Sequence, residues 1–150
     1  MIKDLDKHYM RLALNEAKKA YNEDEVPIGA VIVSGEAVIK AHNTKESKKD
    51  ATCHAEINAI KKACKKLGTK ILPDATIYIT IEPCLMCLGA ILQARIKRVV
   101  YGAKEEKFGA TSVLESYKSN HEIEVTSGVL EKEASDLMKQ FFKEKRLKNN

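Results

Sequence analysis

The 150-residue chain has no tryptophan, few aromatic residues and no apolar run that approaches the length of a membrane span. Its opening segment, MIKDLDKHYMRLAL, places charges among the apolar positions, so it lacks the continuous apolar region of a secretory signal. Residue types typical of low-complexity segments are too scarce for a disordered chain. These absences argue against membrane, secreted and disordered proteins. We therefore expect a globular protein in the cytoplasm, with no membrane partner.

The composition that is present is that of a folded domain, with 44% hydrophobic and 31% charged residues. A chain of this length can bury one substantial core but is short for two. The sequence shows no internal repeat and no linker. We therefore predict a single domain that spans residues 1–150.

Four cysteines could form two disulfides. Without a secretory signal, however, a reducing compartment is expected, where closely spaced cysteines more often bind metal or perform redox chemistry. Metal binding is therefore the first question that the cysteines raise.

The formal net charge of +5 is concentrated at one end of the chain. Five basic residues and one acidic residue lie between Lys139 and Asn150, which leaves a net charge of +4 in that segment. Cations are favoured near a helix C-terminus, so this segment fits a solvated helix end. It also fits contact with a polyanionic partner.

Apolar periodicity predicts helices and strands in alternation. An opening helix is expected from Asp6 to Tyr21, followed by a hairpin of VPIGAVIVS (26–34) and AVIKAH (37–42) that turns at Gly35 and Glu36. A second helix within 51–68 stops at Gly68, and a third, PCLMCLGAILQAR (83–95), opens with its proline. Strands are expected at 75–82, 96–103 and 122–128, and a closing helix at 129–146. This order predicts an α/β protein whose sheet is covered by helices on both faces.

Two short clusters, each at the start of a predicted helix, carry residues suited to chemistry. His54 and Glu56 open the second helix, and Cys84 and Cys87 open the third. Cysteines three positions apart on a helical turn can bind one ion, and His54 can complete a three-ligand set with an open fourth position. Thiolate and imidazole ligands with an open position are typical of catalytic zinc, which acidifies bound water. Glu56 then fits as a base and proton shuttle rather than a ligand.

Each cluster alone is a weak signal. C-x-x-C also occurs in redox sites, structural zinc sites and ordinary cores, and a glutamate at a helix start is favoured by the helix dipole. H-x-E followed by P-C-x-x-C, each at a junction that leads into a helix, is the combination typical of zinc-dependent nucleobase deaminases.

The sequence resembles the cytidine deaminase superfamily and, within it, the bacterial tRNA adenosine deaminases. The resemblance is carried by VPIGA (26–30), Asn43, HAEI (54–57), EPCLMC (82–87) and RIKRVVYGAKEEKFGA (95–110), and it runs over nearly the whole chain. It implies a three-layer α/β/α cytidine deaminase-like fold with a mixed five-stranded sheet whose fourth and fifth strands are parallel. It also implies a homodimer.

The resemblance further implies the site and its substrate. One zinc ion per chain would be held by His54, Cys84 and Cys87, and Glu56 would move protons. Asn43 would hydrogen-bond the target base, and the substrate set would also include Pro27, Ile28 and Ala55. The implied reaction is deamination of adenosine to inosine in the tRNA anticodon arm, at the wobble position, by zinc-activated water.

Two alternatives remain open. One is the same chemistry on a free base or nucleoside, guanine or cytosine, because KKACKKLG (61–68) and EPCLMCLGAI (82–91) also resemble guanine deaminases. The other is a non-catalytic, zinc-stabilised module that binds nucleic acid, which would need a fourth protein ligand. The chain also departs from the family at Thr111-Ser112-Val113 and in a shorter loop before Asn120, regions that lie near substrate and partner contacts in the family.

The remaining candidates are expected to be structural. Adjacent helical residues point about 100° apart, so Cys53 is predicted to be a small buried residue and not a ligand. Cys64 and Met86 are predicted core residues. At least one of Phe141 and Phe142 is expected to pack inward, although such rings could stack on a base. Three other histidines are expected at the surface or with hydrogen-bonded ring nitrogens: His8, His42 and His121. The family position of His121 also suits contact with RNA.

Overall fold

The computed structural model describes residues 1–116 and 122–149. These residues contain four α-helices: α1 (Asp4–Asn22), α2 (Ala55–Leu67), α3 (Leu85–Gln93) and α4 (Glu131–Lys148). The same described ranges contain five strands: β1 (Gly29–Ser34), β2 (Ala37–His42), β3 (Thr76–Ile81), β4 (Arg98–Ala103) and β5 (Glu124–Thr126). A 3₁₀-helix at Thr111–Glu115 was not predicted from the sequence. His121 and Asn120 lie outside the described residues.

The strands form one mixed sheet in the order β2-β1-β3-β4-β5. β1 pairs antiparallel with β2 and with β3, whereas β3–β4 and β4–β5 are parallel. The hairpin turns at Gly35 and Glu36 as predicted, since Ser34 pairs with Ala37. The predicted mixed five-stranded sheet with parallel fourth and fifth strands is confirmed.

Helices cover both faces of the sheet and produce three layers. α2 and α3 contact each other on one face, whereas α1 and α4 lie on the other. Alternation along each strand sends side chains to the two sides: on β3, Ile77 and Ile79 join the cluster under α2 and α3, and Tyr78 between them joins the cluster under α1. The predicted α/β/α fold is therefore confirmed.

Helix boundaries differ from the prediction at the two functional junctions. α2 begins at Ala55, so His54 is its N-cap, and it ends at Gly68, whose φ of 66° is a left-handed conformation that suits glycine. α3 begins at Leu85 with Cys84 as its N-cap. The prediction that a proline opens α3 was wrong, because Pro83 precedes the N-cap and ends the extended connection from β3 instead.

Three predicted core positions have different outcomes. Cys64 packs against the core under α2, and Phe141 on α4 is buried, so both expectations are confirmed. Met86 was predicted to be a core residue, but it is 38% exposed. The buried face of α3 is formed by Cys87, Leu88 and Ile91, which leaves Met86 on the outer side of the first turn.

Contacts elsewhere agree with a structural role for two histidines. Both ring nitrogens of His42 face carboxylates, with Nδ1 at 3.3 Å from Glu16 and Nε2 at 3.0 Å from Glu23. His8 is exposed beside the ring of Tyr9.

Within residues 1–116 and 122–149, no helix combines the length and apolar character that crossing a membrane requires.

Candidate active site

Two helix N-termini meet where the predicted ligands lie. His54 caps α2, Cys84 caps α3, and Cys87 lies one turn into α3. Although 30 positions separate His54 from Cys84 along the chain, Nδ1 of His54 is 3.7 Å from Sγ of Cys84 and 3.5 Å from Sγ of Cys87. The fold thus brings together the two clusters that the sequence places apart.

The donor geometry fits a zinc ion. The three ligand atoms of His54, Cys84 and Cys87 lie within 4.8 Å of one another. A tetrahedral centre with Zn–N of about 2.05 Å and Zn–S of about 2.3 Å places nitrogen and sulfur about 3.6 Å apart, which agrees with both N···S separations. Nitrogen and sulfur donors are the set that zinc prefers. Among the described residues, this is the one such group of three or more metal-binding side chains.

Cys84 carries the negative charge of this donor group. Hydrogen bonds from Cys87 and His54 lower the pKa of the Cys84 thiol to about 4. The same contact with Cys84, together with burial, raises the pKa of Cys87. A thiolate at the N-cap of α3 faces the positive end of the helix dipole, which stabilises it further.

Glu56 lies in the first turn of α2, next to this group but outside it. Its carboxyl is buried, and burial raises its pKa to about 6, with the negative charge of Cys84 acting in the same direction. The Cys87 thiol hydrogen-bonds to it. A buried carboxyl beside an ion site, and not itself one of the donors, can carry protons to and from a substrate.

A cavity of about 580 Å³, a volume typical of small-molecule sites, adjoins this group. Its polar lining includes His54, Glu56, Cys84 and Asn43. Apolar walls are contributed by Val26, Ile28, Ile81 and Met138. Apolar walls with a few converging polar groups suit a flat aromatic ligand such as a nucleobase.

Hydrogen bonds hold the side chain of Asn43 in place without using all of its donors and acceptors. Its amide Nδ2 donates to the carbonyl of Val26 at 3.2 Å, and its Oδ1 accepts from the backbone N–H of Lys45 at 3.1 Å. An asparagine amide offers two N–H donors and two acceptor lone pairs, so one of each is left for a ligand.

The predicted substrate residues are placed unequally. Ile28 and Ala55 line the cavity together with Asn43. Pro27 is buried and is not among the cavity-lining residues. Instead it stands at the centre of a tight turn, in which the N–H of Ile28 donates to the carbonyl of Val26 at 2.9 Å. Cys53 is half-buried in the turn before α2, which corrects the expectation that it is buried, and it lies outside the His54, Cys84 and Cys87 group.

The loop between β2 and α2 is held by two residues that the sequence did not single out. The buried carboxylate of Glu25 accepts the backbone N–H groups of Glu46 and Ser47 at 2.8 and 2.7 Å. Asn58, one turn after His54, donates to the carbonyls of His42 and Cys53. These bonds fix the loop that carries Asn43, and each joins residues that are not neighbours in sequence.

A second loop, residues 104–110 after β4, is fixed by Glu82. The buried Glu82 carboxylate accepts the N–H of Glu105 at 3.2 Å, the N–H of Thr111 at 3.1 Å and the Thr111 hydroxyl. A Cβ on Gly109 would overlap the Glu82 carboxylate, so the glycine allows the close approach. The loop brings Glu105 and Phe108 to the cavity, which the sequence did not predict.

A three-layer α/β/α fold with a His-Cys-Cys donor group and a buried glutamate in one cavity defines the class of protein as a nucleobase deaminase of the zinc-dependent type. The comparisons with known proteins agree. A family model described as MafB19-like deaminase matches residues 5–146. A tRNA-specific adenosine deaminase of Bacillus subtilis (strain 168) is 46% identical over 148 residues, which cover 95% of this chain and 92% of the relative.

Solved structures extend the comparison. A structure from a study of A-to-I editing by tRNA:A34 deaminases at the wobble position superposes with a TM-score of 0.83 at 44% identity, covering 87% of this chain and 98% of the other. A guanine deaminase from Bacillus subtilis gives a TM-score of 0.64 at 36% identity, with 76% of each chain covered. The chain belongs to the MafB19-like deaminase family, together with the tRNA-specific adenosine deaminases. The resemblance seen in the sequence is thus confirmed.

Proposed function

We propose that this chain, as a single deaminase domain over residues 1–150, converts adenosine to inosine at the wobble position of the tRNA anticodon arm. The observation that carries the proposal is the buried Glu56 carboxyl beside the His54, Cys84 and Cys87 donors, at a cavity lined by Glu56, His54 and Cys84. The relatives named tRNA-specific adenosine deaminase, which align over nearly the whole chain, support the choice of substrate.

The reaction replaces the exocyclic amine of adenine by oxygen. The oxygen of water bonds to C6, the C6–N bond breaks, and the amine leaves as ammonia. Zinc, one ion per chain, would be held by His54, Cys84 and Cys87 and would supply Lewis acidity that makes water a nucleophile near neutral pH. Glu56 takes one proton from the water and delivers it to the ring nitrogen N1. It then takes the second proton, from the oxygen now bonded to C6, and gives it to the leaving amine.

The cavity walls orient the base for this transfer. Asn43 offers its remaining donor and acceptor to the base edge, and Ile28 packs against the base face from the apolar wall. Ala55 leaves room beside Glu56 because its side chain is only a methyl group. In this proposal Pro27 acts indirectly, by fixing the backbone between Val26 and Ile28.

Substrate recognition beyond the base is assigned to α4. Met138 and Phe142 line the cavity, and Arg146 follows Phe142 by four positions, so the three share one face of the helix. Lys139, Lys143 and Arg146 are exposed. In this proposal these cations contact the phosphate backbone of the tRNA.

The proposal includes a homodimer in the cytoplasm. On the first turn of α3, beside the metal group, Leu85 is 64% exposed and Met86 is 38% exposed. A second copy that covers these apolar side chains would remove them from water. Light scattering coupled to gel filtration measures the mass, and a monomer at micromolar concentration would reject this part of the proposal.

One alternative keeps the chemistry and changes the substrate to free guanine or cytosine. The guanine deaminase structure at 36% identity supports it, although that likeness covers 76% of this chain compared with 95% for the Bacillus adenosine deaminase. The non-catalytic zinc module is less well supported, because the metal group found within residues 1–116 and 122–149 has three donors and no fourth.

Inosine mapping tests the proposal directly. The zinc-loaded protein is incubated with a transcribed tRNA pool that contains adenosine at the wobble position, and inosine is then read as guanosine after reverse transcription. We expect conversion at that position alone. Turnover of guanine or cytosine without any inosine in tRNA would replace the proposal with the free-base alternative.

A further inference from the structure

Phe108 presents an aromatic ring to solvent at the rim of the candidate active site. It lines the cavity, yet 64% of its surface is exposed. Its ring therefore packs only partly against the protein, and an apolar group left in water gains free energy when a ligand covers it. The question is which ligand reaches this rim.

The backbone that carries Phe108 is fixed before any ligand arrives. The Glu82 carboxylate accepts hydrogen bonds from both ends of the loop, at Glu105 and Thr111. The N–H of Ala110 also donates to the carbonyl of Pro83 at 3.0 Å. A ring held by such a loop loses little conformational freedom on binding, so it can act as a preorganised contact surface.

The charge of the loop argues against a phosphate contact as its main role. Lys104 and Lys107 are balanced by Glu105 and Glu106, so the segment has no formal net charge. The ammonium of Lys107 lies 5.3 Å from the centroid of the Phe108 ring, in the range of a cation–π contact. What the loop offers at the rim is therefore an aromatic face rather than positive charge.

A base is the group that matches this face. When an enzyme takes one nucleotide into its pocket, the nucleotides on either side remain outside at the rim, where contacts with them set the sequence context. Aromatic side chains stack on such bases with little sequence preference. We propose that Phe108 stacks on the base adjacent to the target nucleotide, and so favours a polynucleotide over a free base or nucleoside. This inference rests on the proposed RNA substrate.

The kinetic experiment compares Phe108→Ala and Phe108→Tyr with the wild type on an anticodon stem-loop and on free adenosine. We expect Phe108→Ala to raise KM for the stem-loop about tenfold with a smaller change in kcat, and Phe108→Tyr to stay within about twofold of the wild type. KM for free adenosine should change less than KM for the stem-loop, and zinc content and the slope of binding against salt concentration should not change.

A matched control is Leu5→Ala, which removes another exposed apolar side chain. Leu5 is 61% exposed on α1, next to Asp6, whose carboxylate bonds to Arg98 at the start of β4. The cavity residues Ile81 and Glu82 lie at the end of β3, which runs parallel to β4. Because Arg98 begins β4, Leu5 lies near the opposite end of these two strands from the cavity. This control should match the wild type on both substrates.

A binding experiment separates failure of this inference from failure of the proposed function. Stem-loops with 2-aminopurine placed on either side of the target are titrated with Glu56→Gln protein, with and without Phe108→Ala. Stacking should quench the probe at one neighbour, and the Phe108→Ala change should remove that quenching. Unchanged quenching, or an unchanged KM for the stem-loop, overturns the role of Phe108. Absence of inosine from wild-type reactions refutes the proposed function, while the quenching still decides whether Phe108 stacks.

Discussion

Nδ1 of His54 lies 3.5 Å from Sγ of Cys87, a separation that suits two ligands of one ion. We predict one zinc per chain in the wild type and none in a Cys84→Ala, Cys87→Ala double variant, because one nitrogen ligand cannot hold the ion. Elemental analysis of the purified proteins measures the stoichiometry.

Two other cysteines provide matched controls for the zinc prediction. Cys53 and Cys64 are half-buried thiols that lie outside the donor group. Cys53→Ala and Cys64→Ala should retain zinc at the wild-type level. Stoichiometric zinc in the double variant would show that the metal site lies elsewhere.

Glu56→Gln should fold and retain zinc but lose most turnover. The amide keeps the shape of the carboxyl and cannot exchange protons, and loss of a general acid/base costs about 10²–10⁴-fold in rate. Single-turnover deamination of an anticodon stem-loop measures the rate, and binding of the same RNA should change less. A variant that deaminates at nearly the wild-type rate would reduce Glu56 to a helix-start residue.

The parts of the site that were predicted from the sequence lie within short windows. H-x-E and P-C-x-x-C each fall within one helical turn, and their residue types already carry the chemistry. The contacts of Glu82 with Thr111, and of Glu25 with Ser47, join residues 29 and 22 positions apart, and nothing in a local pattern reports them. Such pairs become visible only when the fold brings two loops together.

The error at Met86 has a different physical origin. The segment LMCLGAILQ is apolar at almost every position, so its periodicity does not show which face of α3 meets the core. By contrast, polar residues mark one side of α1 and α4, and the inward packing of at least one of Phe141 and Phe142 could be predicted. The aromatic residue at the rim, Phe108, lies in a charged loop whose path depends on Glu82.

Asp6 and Arg98 provide a prediction about stability. Both side chains are buried, and two hydrogen bonds of 2.8 Å join them across α1 and β4, with the Tyr78 hydroxyl donating to the same carboxylate at 3.1 Å. Asp6→Asn removes the buried counter-charge of the Arg98 guanidinium and leaves it only the exposed Glu124 carboxylate, 2.7 Å from Nε. We expect the free energy of unfolding to fall by about 3 kcal/mol, measured by chemical denaturation at pH 7.

The same pair predicts how that loss depends on pH. Burial alone would raise the pKa of Asp6, but hydrogen bonds from Arg98 and from the backbone N–H of Lys3 outweigh it, so the pKa lies below its usual value. A lowered folded-state pKa means that the carboxylate contributes its stability above the unfolded pKa of about 3.9 and loses it as pH falls through the folded pKa. The wild type and Asp6→Asn should therefore differ by a constant amount above about pH 5 and converge in stronger acid.

An exposed ion pair is the control for the Asp6 prediction. Lys132 and Asp136 are 2.6 Å apart on the surface of α4. Exposed pairs of this kind contribute little to stability, so Asp136→Asn should leave the denaturation midpoint unchanged. A loss at Asp6 no larger than the loss at Asp136 would show that the buried pair does not hold α1 to β4.

The basic end of α4 provides the last prediction, which concerns RNA. Deletion of residues 146–150 removes Arg146 and Lys148 but spares Lys145, whose ammonium is paired with Asp24 at 2.8 Å. Each phosphate contact contributes about 0.7–0.9 to the slope of log affinity against log salt concentration, so the truncated protein should bind a stem-loop more weakly and lose up to about two units of slope. Filter binding at several salt concentrations measures both quantities.

A double variant elsewhere separates a local contact from a general effect of charge. Lys65→Gln and Lys66→Gln remove two exposed cations from the last turn of α2, far from His54 at its start. If the end of α4 contacts phosphates, truncation should flatten the salt dependence while this double variant leaves it nearly unchanged, and zinc content should be the same in both. A protein that has lost phosphate contacts releases fewer counterions on binding, so its slope must be smaller. Equal slopes for the truncated and intact proteins would therefore show that the tail is only a solvated helix end.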